Sequence, residues 1–469
     1  MMSRKRELVR NTAILTIGKI CTQCINFFLL PLYTAVLKTE EYGTFDLIIT
    51  YGTLLLPLVN WQFDQGIFRF LLECREDKEK QQTLFSTAFI ANCFQIFIYI
   101  LIGLIINTAI RSKYIYFILS YVVIQVLTAL FLQLSRGLGR NKVYAVSSFI
   151  SATSTVVLNV IFLCIIQTGL EGLFMATFLA QCITILYLCI MLKPWEFFKI
   201  EKFDRETFHN LRKYSLPLVP NNLAWWVVNV SDRTIISFVL GVAFNGIYTV
   251  ANKFSSVFIQ FYNIFNLSWT ETVSIHFYDE DRDDFLEKAI TEIYNLFSCL
   301  CLGVVACMPF IFPYMVDGKY NDAYAQIIIL MYAMLFRVFQ GLYSCVYIAM
   351  KDSKKVASTS IASAAINILV NVLLIKFIGL YAASLSTLIA FGSMAIVRYI
   401  DVNKIIKMKI KKRFLLATFV LSLILLITYY ANEIVPNVII LFCICVYSYI
   451  VNRDFLKTGI RFCKNFWKK

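Results

Sequence analysis

Six charged residues lie inside long apolar stretches, where charge is rare and usually functional. Four are cations, Lys19, Arg233, Lys253 and Arg337, and two are anions, Asp46 and Asp232. An ionised side chain in a membrane interior is costly, so it normally faces a charged partner or a water-filled cavity. Because the cations outnumber the carboxylates, the pattern favours a cationic cavity between the two halves of the chain that attracts an anionic group.

Arg233 and Lys253 flank a short turn that we predict at residues 242–245. At about 1.5 Å per helical residue, each lies about 12 Å from its end of the hairpin, so both would share one depth. A pyrophosphate suits such a pair, because arginine offers a planar fork and lysine a compact charge. The competing interpretation is internal pairing of Asp232 with Lys253, and for Asp232 the sequence leaves that choice open.

A second polar set closes the second apolar run, at residues 60–70. Asp64 and Arg69 are candidates for gating or for an ion pair at the cytoplasmic face. Position alone favours a simpler interpretation, an interfacial helix end with an aromatic belt.

The residue types that enzymes use are sparse. The chain has two histidines and 14 cysteines, with no C-x-x-C metal-ligand spacing paired with histidines, and most cysteines lie inside apolar runs. It has no P-loop and no nucleophile elbow. The acidic stretch 276–288 fits neither an EF-hand nor a glycosidase pair. We therefore predict no catalytic residue, no metal site, no bound cofactor and no direct ATP drive.

Composition places these charges in a membrane protein. Of 469 residues 59% are hydrophobic, and mean hydropathy is +0.70. Repeated apolar runs of about 20 residues predict many membrane-spanning helices. A barrel is disfavoured because the runs are continuous rather than alternating. The net charge of +15 does not indicate nucleic acid, since the basic residues cluster beside apolar runs, where they orient the protein and contact anionic lipid.

We predict about fourteen spans, and no connection is long enough for a soluble catalytic domain. They cover residues 11–36, 42–63, 83–108, 114–135, 143–168, 171–192, 214–241, 245–270, 287–313, 323–350, 355–377, 379–400, 413–431 and 434–452. With this topology 35 of the 44 lysines and arginines fall on one side and five on the other. Positive charge marks the cytoplasmic side, so both termini are predicted to be cytoplasmic.

The chain also repeats itself at matching places in two halves. The matches pair Leu37 and Gly43 with Leu240 and Gly246, Lys142 and Ser147 with Lys355 and Ser360, Asn159 with Asn371, and Gly169 with Gly379. An even number of spans separates the copies, which predicts a parallel repeat. The expected fold is all-α, with two six-helix lobes and two extra C-terminal helices. The predicted domains are 1–192, a cytoplasmic amphipathic linker 193–213, then 214–400, and 401–469 with a basic tail.

In this register Thr50 of the first copy occupies the place of Lys253 in the second. The two copies therefore share shape but not charge. The inner cations of the second hairpin are a local addition, which favours contact with cargo over structural pairing.

The chain resembles the polysaccharide biosynthesis, or O-antigen, flippase family of the multidrug/oligosaccharidyl-lipid/polysaccharide exporter superfamily. The resemblance rests on residues 11–18, 41–43, 64–69, 231–233 and 246–253. It implies alternating-access translocation of undecaprenyl-pyrophosphate-linked oligosaccharides for surface polysaccharide, in the bacterial cytoplasmic membrane. Coupling to a proton or sodium gradient is also implied, with no diagnostic cation site. The implied partners are the polyprenyl-linked glycan, membrane lipids and other polysaccharide-assembly proteins.

Two alternatives compete with a flippase. A drug or metabolite antiporter of the same superfamily would share the fold, but organic-cation cargo would favour an anionic cavity. A membrane polymerase or ligase would need a sizeable external loop for its chemistry. The longest external loop here is about ten residues, around 317–322, which argues against an enzyme.

Overall fold

The computed structural model describes residues 27–350, 352–406 and 412–453, and these residues form sixteen α-helices and no strand. The first nine are α1 Leu30–Val36, α2 Thr39–Asn60, α3 Phe63–Leu71, α4 Lys78–Ile110, α5 Ile115–Gly137, α6 Asn141–Val160, α7 Gly169–Leu192, α8 Arg205–Ser215 and α9 Leu218–Val239. The other seven are α10 Val242–His276, α11 Arg282–Met315, α12 Asp322–Ala349, α13 Ser353–Ile378, α14 Leu380–Asn403, α15 Lys412–Ala431 and α16 Ile434–Val451. The predicted all-α fold class is confirmed.

Eleven helices within the described residues are long and apolar enough to cross a membrane: α2, α4, α5, α6 with the π-helical turn that extends it, α7, and α11 to α16. Large apolar side chains on several of them point outward, as lipid contact requires. The other predicted spans at 214–241 and 245–270 form α9 and α10. The span predicted at 11–36 lies mostly outside the described residues.

Predicted helix ends differ from the observed ones by several residues, as at His276 against 270, and two of the differences have a clear backbone cause. The second span ends at Asn60, because Trp61 and Gln62 both adopt left-handed backbone conformations with φ of 49° and 58°. Such residues cost about 1–2 kcal/mol each, so tertiary contacts must hold them. The turn predicted at 242–245 lies instead at Leu240 and Gly241, since Gly241 has φ of +105° and Val242 begins α10.

The chain divides by its contacts into unit 1, Met1–Thr234, and unit 2, Ile235–Lys469. The boundary falls inside α9. The predicted linker 193–213 groups with unit 1 in this division, and the four predicted segments stay predictions.

The core of unit 1 joins α3 to the helices around it. Its buried members include Phe63 and Ile67 of α3, Phe85 of α4 and Leu134 of α5. The segment after α7 packs into the same core through Phe197 and Phe198. Its backbone is fixed by Ser86, whose hydroxyl donates to the Phe197 carbonyl and accepts from the Lys199 amide. This core therefore packs α3 against α4, α5 and the segment that follows α7.

In unit 2, α12 packs against α10, α11 and α14, and α14 also packs against α13. Arg398 of α14 joins three of these helices. It donates to Gln340 of α12 and to Val356, Thr359 and Ser360 of α13. The side chain of Arg398 is only 2% exposed, and α14 continues past it to Asn403.

Candidate substrate-binding site

The clearest charged contact in unit 1 joins the two predicted site residues Arg233 and Asp46. Nη1 of Arg233 on α9 lies 2.9 Å from Oδ1 of Asp46 on α2. Their side chains are 23% and 12% exposed, so the ion pair is largely withdrawn from solvent. The same nitrogen donates to the Thr50 hydroxyl at 3.0 Å. Asp46 and Thr50 are one helical turn apart, so both face α9.

Neighbouring hydrogen bonds hold α9 along α2. The indole N–H of Trp226 donates to the Thr50 carbonyl at 3.0 Å and lies 3.3 Å from the Thr53 hydroxyl. The Tyr51 hydroxyl donates to that of Thr234 at 3.2 Å, and the Tyr51 and Trp226 ring centroids are 6.1 Å apart. The guanidinium is thus held beside a small group of hydroxyls and aromatic rings.

A further contact lies towards the end of α2. Nδ2 of Asn222 donates to Oε1 of Gln62 at 2.9 Å, and also to the Leu218 carbonyl. Along α9 the contacts run from Asn222 to Arg233, while their partners run in the opposite direction, from Gln62 to Asp46. This order means that the first part of α9 runs antiparallel to α2 within unit 1.

The remaining predicted residues are distributed between the units. Asp232 is buried on α9 in unit 1. Lys253 is half-buried on α10, and Arg337 lies on α12 with its guanidinium 5.6 Å from the Phe391 ring centroid, all in unit 2. Lys19 lies outside the described residues. Within the units the structure brings Arg233 together with Asp46, and their role in substrate binding stays a prediction.

Asp64 and Arg69 do not pair with each other. Arg69 binds Glu73 at 2.6 Å on the surface. Asp64 is buried, and its two carboxylate oxygens accept from Nδ2 of Asn60 and Nε2 of Gln65 at 2.9 and 2.7 Å. Burial raises the pKa of the Asp64 carboxyl above its ordinary value, although the two amide hydrogen bonds oppose this shift. The gating role of these residues is untested.

Sequence reasoning missed the residues that surround Arg233, namely Thr50, Tyr51 and Trp226. A spacing signal for them exists. Trp226 and Arg233 are seven residues apart and so share a helix face, as do Asp46 and Thr50 at a spacing of four. This arrangement offers charge and hydrogen bonds to a polar ligand, and the described residues contain no group of three or more acidic, histidine or cysteine side chains that could hold a metal.

Comparison with known proteins gives a family and a fold. The family model described as polysaccharide biosynthesis protein matches residues 8–269, more than half of the chain. A search of curated proteins found no match.

Solved structures similar to this chain are transporters. An inward-facing multidrug resistance MATE family transporter of the MOP superfamily shares 15% identity and a TM-score of 0.67, with 82% of this chain and 94% of that chain covered. An outward-facing structure described in the same words gives 15% identity, a TM-score of 0.57, and coverage of 85% and 95%. A MOP superfamily transporter from Pyrococcus furiosus is described as having a binding pocket of reverse polarity. It shares 16% identity and a TM-score of 0.55, with 85% of this chain and 95% of that chain covered. At these identities the likeness concerns the fold.

Proposed function

Since the chain belongs to the polysaccharide biosynthesis protein family and has the fold of MOP superfamily transporters, we propose that it is a flippase for lipid-linked oligosaccharides. Its cargo is an undecaprenyl-pyrophosphate-linked glycan destined for surface polysaccharide. The protein moves the headgroup across the bacterial cytoplasmic membrane by alternating access, while the polyprenyl tail stays in lipid. Both termini are cytoplasmic in this proposal, and a proton or sodium gradient drives the cycle.

The observation that carries the proposal is the Arg233–Asp46 pair. Arg233 binds one carboxylate oxygen through Nη1 at 2.9 Å and keeps a partly exposed, planar guanidinium. A pyrophosphate presents several anionic oxygens to the same fork and can compete with the Asp46 carboxylate. Thr50 and Trp226 hold the local geometry, so this exchange needs no rearrangement of α2.

Charge sign separates this cargo from that of a drug antiporter. Lys19, Arg233, Lys253 and Arg337 outnumber Asp46 and Asp232. Excess positive charge favours an anionic headgroup and repels organic cations. The Pyrococcus transporter described as having a reverse-polarity pocket shows that pockets of differing polarity have been described on this fold.

The test is flipping of a fluorescent undecaprenyl-pyrophosphate-linked glycan in proteoliposomes. Arg233→Gln combined with Asp46→Asn removes both charges of this pair together, so neither partner keeps its charge without the other. We expect this variant to lose most of its flipping. The matched control is Lys202→Gln, which removes an exposed ion pair with Glu79 elsewhere in unit 1.

Normal flipping by the double variant would overturn the assignment of Arg233 to the headgroup. Two further readouts use the same vesicles. Uptake of cationic dyes without glycan flipping would favour the antiporter. Joined glycan products would instead favour a polymerase or ligase.

A further inference from the structure

Two buried carboxamides on α4, Asn92 and Gln95, have no hydrogen-bond partner among the described residues. The side-chain nitrogen and oxygen of both residues are unpaired, and the residues are only 1% and 8% exposed. A buried polar group without a partner loses its hydration and gains nothing in return. Leucine at either position would avoid that cost, so the carboxamides indicate that something other than protein bonds to them.

Other polar side chains of α4 show what satisfied groups look like here. Gln81 donates to the carbonyls of Cys74 and Arg75. Ser86 and Thr87 bond to the backbone of residues 197–204. Asn92, the first unpaired carboxamide, lies just over one helical turn beyond Thr87, the last of these paired side chains.

Asn92 and Gln95 point into unit 1 rather than towards lipid. A spacing of three places them side by side on one helix face. The opposite face carries Phe94 and Phe97, which are 64% and 58% exposed. The two carboxamides thus form one polar patch inside the unit.

The patch lies between two apolar clusters. Ala88 and Ala91, just before it, pack with Phe63 of α3. Ile96 and Tyr99, just after it, pack with Val59 of α2. Asn60 lies between Val59 and Phe63 in the chain, and its side chain donates a hydrogen bond to Asp64. The patch therefore lies at the same level of unit 1 as this second set of buried polar groups.

We propose that Asn92 and Gln95 form a buried water-binding site in unit 1. Together the two carboxamides offer four N–H donors and two acceptor oxygens without net charge, which matches a small neutral donor and acceptor. Buried waters typically make about three hydrogen bonds to protein groups that otherwise lack partners. This site is independent of the transported cargo.

The experiment is radiolytic hydroxyl-radical labelling of the purified full-length protein, because radicals formed from bound water oxidise adjacent buried side chains. The reporter is Tyr99, one turn from Gln95 on the same face. After correction for the higher intrinsic reactivity of tyrosine towards hydroxyl radical, we expect Tyr99 to be oxidised several-fold faster than the lipid-facing Phe94 and Phe97. Asn92→Leu with Gln95→Met should lower the Tyr99 rate several-fold, and Thr128→Val should leave it unchanged because Thr128 bonds only its own helix.

Equal labelling of Tyr99 and the lipid-facing phenylalanines would overturn the proposal. So would an unchanged Tyr99 rate in a double variant that retains its melting temperature. The comparison of Tyr99 with Phe94 and Phe97 in the wild-type protein tests the water site even if the double variant does not fold.

Discussion

Arg233 and Asp46 are 187 residues apart in the chain, yet their side chains meet at 2.9 Å between α9 and α2. The contact joins Asp46 of the predicted span 42–63 to Arg233 of the predicted span 214–241. It also gives the guanidinium a fixed position, with Thr50 on the same nitrogen.

Breaking this pair on one side should cost more stability than removing both partners. Asp46→Asn leaves Arg233 without its carboxylate in a largely buried place, and we expect a loss of about 1–3 kcal/mol after allowance for its partial exposure. Asp46→Asn with Arg233→Gln should lose less. Thermal unfolding in detergent measures both variants, and equal losses would contradict a coupled pair.

The Trp226 indole should matter through its N–H as well as its ring. Trp226→Phe keeps an aromatic ring near Tyr51 but removes the donor to the Thr50 carbonyl. We expect a loss of about 1 kcal/mol in unfolding free energy. Tyr51→Phe, which removes the bond to Thr234, is the matched comparison. A stable Trp226→Phe protein with unchanged melting would show that the N–H bond contributes nothing.

Asp64 should make the protein less stable as pH rises. Its folded pKa is raised by burial, so between the ordinary value of 3.8 and the folded pKa the native state binds more protons than the unfolded chain. Its stabilising contribution is complete below the unfolded pKa and is lost as pH rises through the folded pKa. Asp64→Asn should flatten this dependence and raise stability at neutral pH, which unfolding across a pH series would measure.

Asp204 supplies a control of opposite sign for that series. Hydrogen bonds from the Thr207 side chain and amide lower the pKa of this helix-capping carboxyl. Its contribution is therefore lost as pH falls. Asp204→Asn should leave the stability of the protein near neutral pH unchanged, because asparagine also caps helices. If Asp64→Asn and Asp204→Asn shift the pH profile alike, the burial argument for Asp64 fails.

Arg398 should be among the most sensitive residues of unit 2. Its guanidinium bonds to α12 and α13, and no carboxylate of the described residues forms an ion pair with it. Arg398→Ala would orphan several buried acceptors, with an expected loss of about 3–5 kcal/mol. Arg69→Ala, on an exposed pair, should cost less than about 1 kcal/mol. Comparable melting temperatures for the two variants would contradict the network.

The helices could be predicted because apolar run length directly sets their extent. Predicted spans such as 171–192 and 434–452 match α7 and α16 to within two residues. The corner at Trp61 and Gln62 could not be predicted. Neither residue type favours a left-handed conformation, and the bend is held by contacts such as that of the Gln62 amide with Asn60 Oδ1.

The pairing of Arg233 with Asp46 could not be predicted from the sequence, and the site residues stay a prediction. The sequence identified Arg233 and Asp46 and offered Asp232 with Lys253 as the internal pair. Which carboxylate meets Arg233 depends on how α9 lies along α2, and local spacing carries no information about that. The hydrogen bonds of Arg398 were missed for a related reason, since its partners Gln340 and Thr359 lie on other helices.

The bend between α2 and α3 also constrains how many residues can link the two helices. One residue more or fewer between Asn60 and Phe63 would rotate α3 by about 100° about its axis. Phe63, Ile67 and Leu71 would then leave the core, and Asp64 would lose its donor Asn60 on α2. At this point the protein should accept no insertion or deletion, so the number of residues between Asn60 and Phe63 is a constraint in addition to their identity.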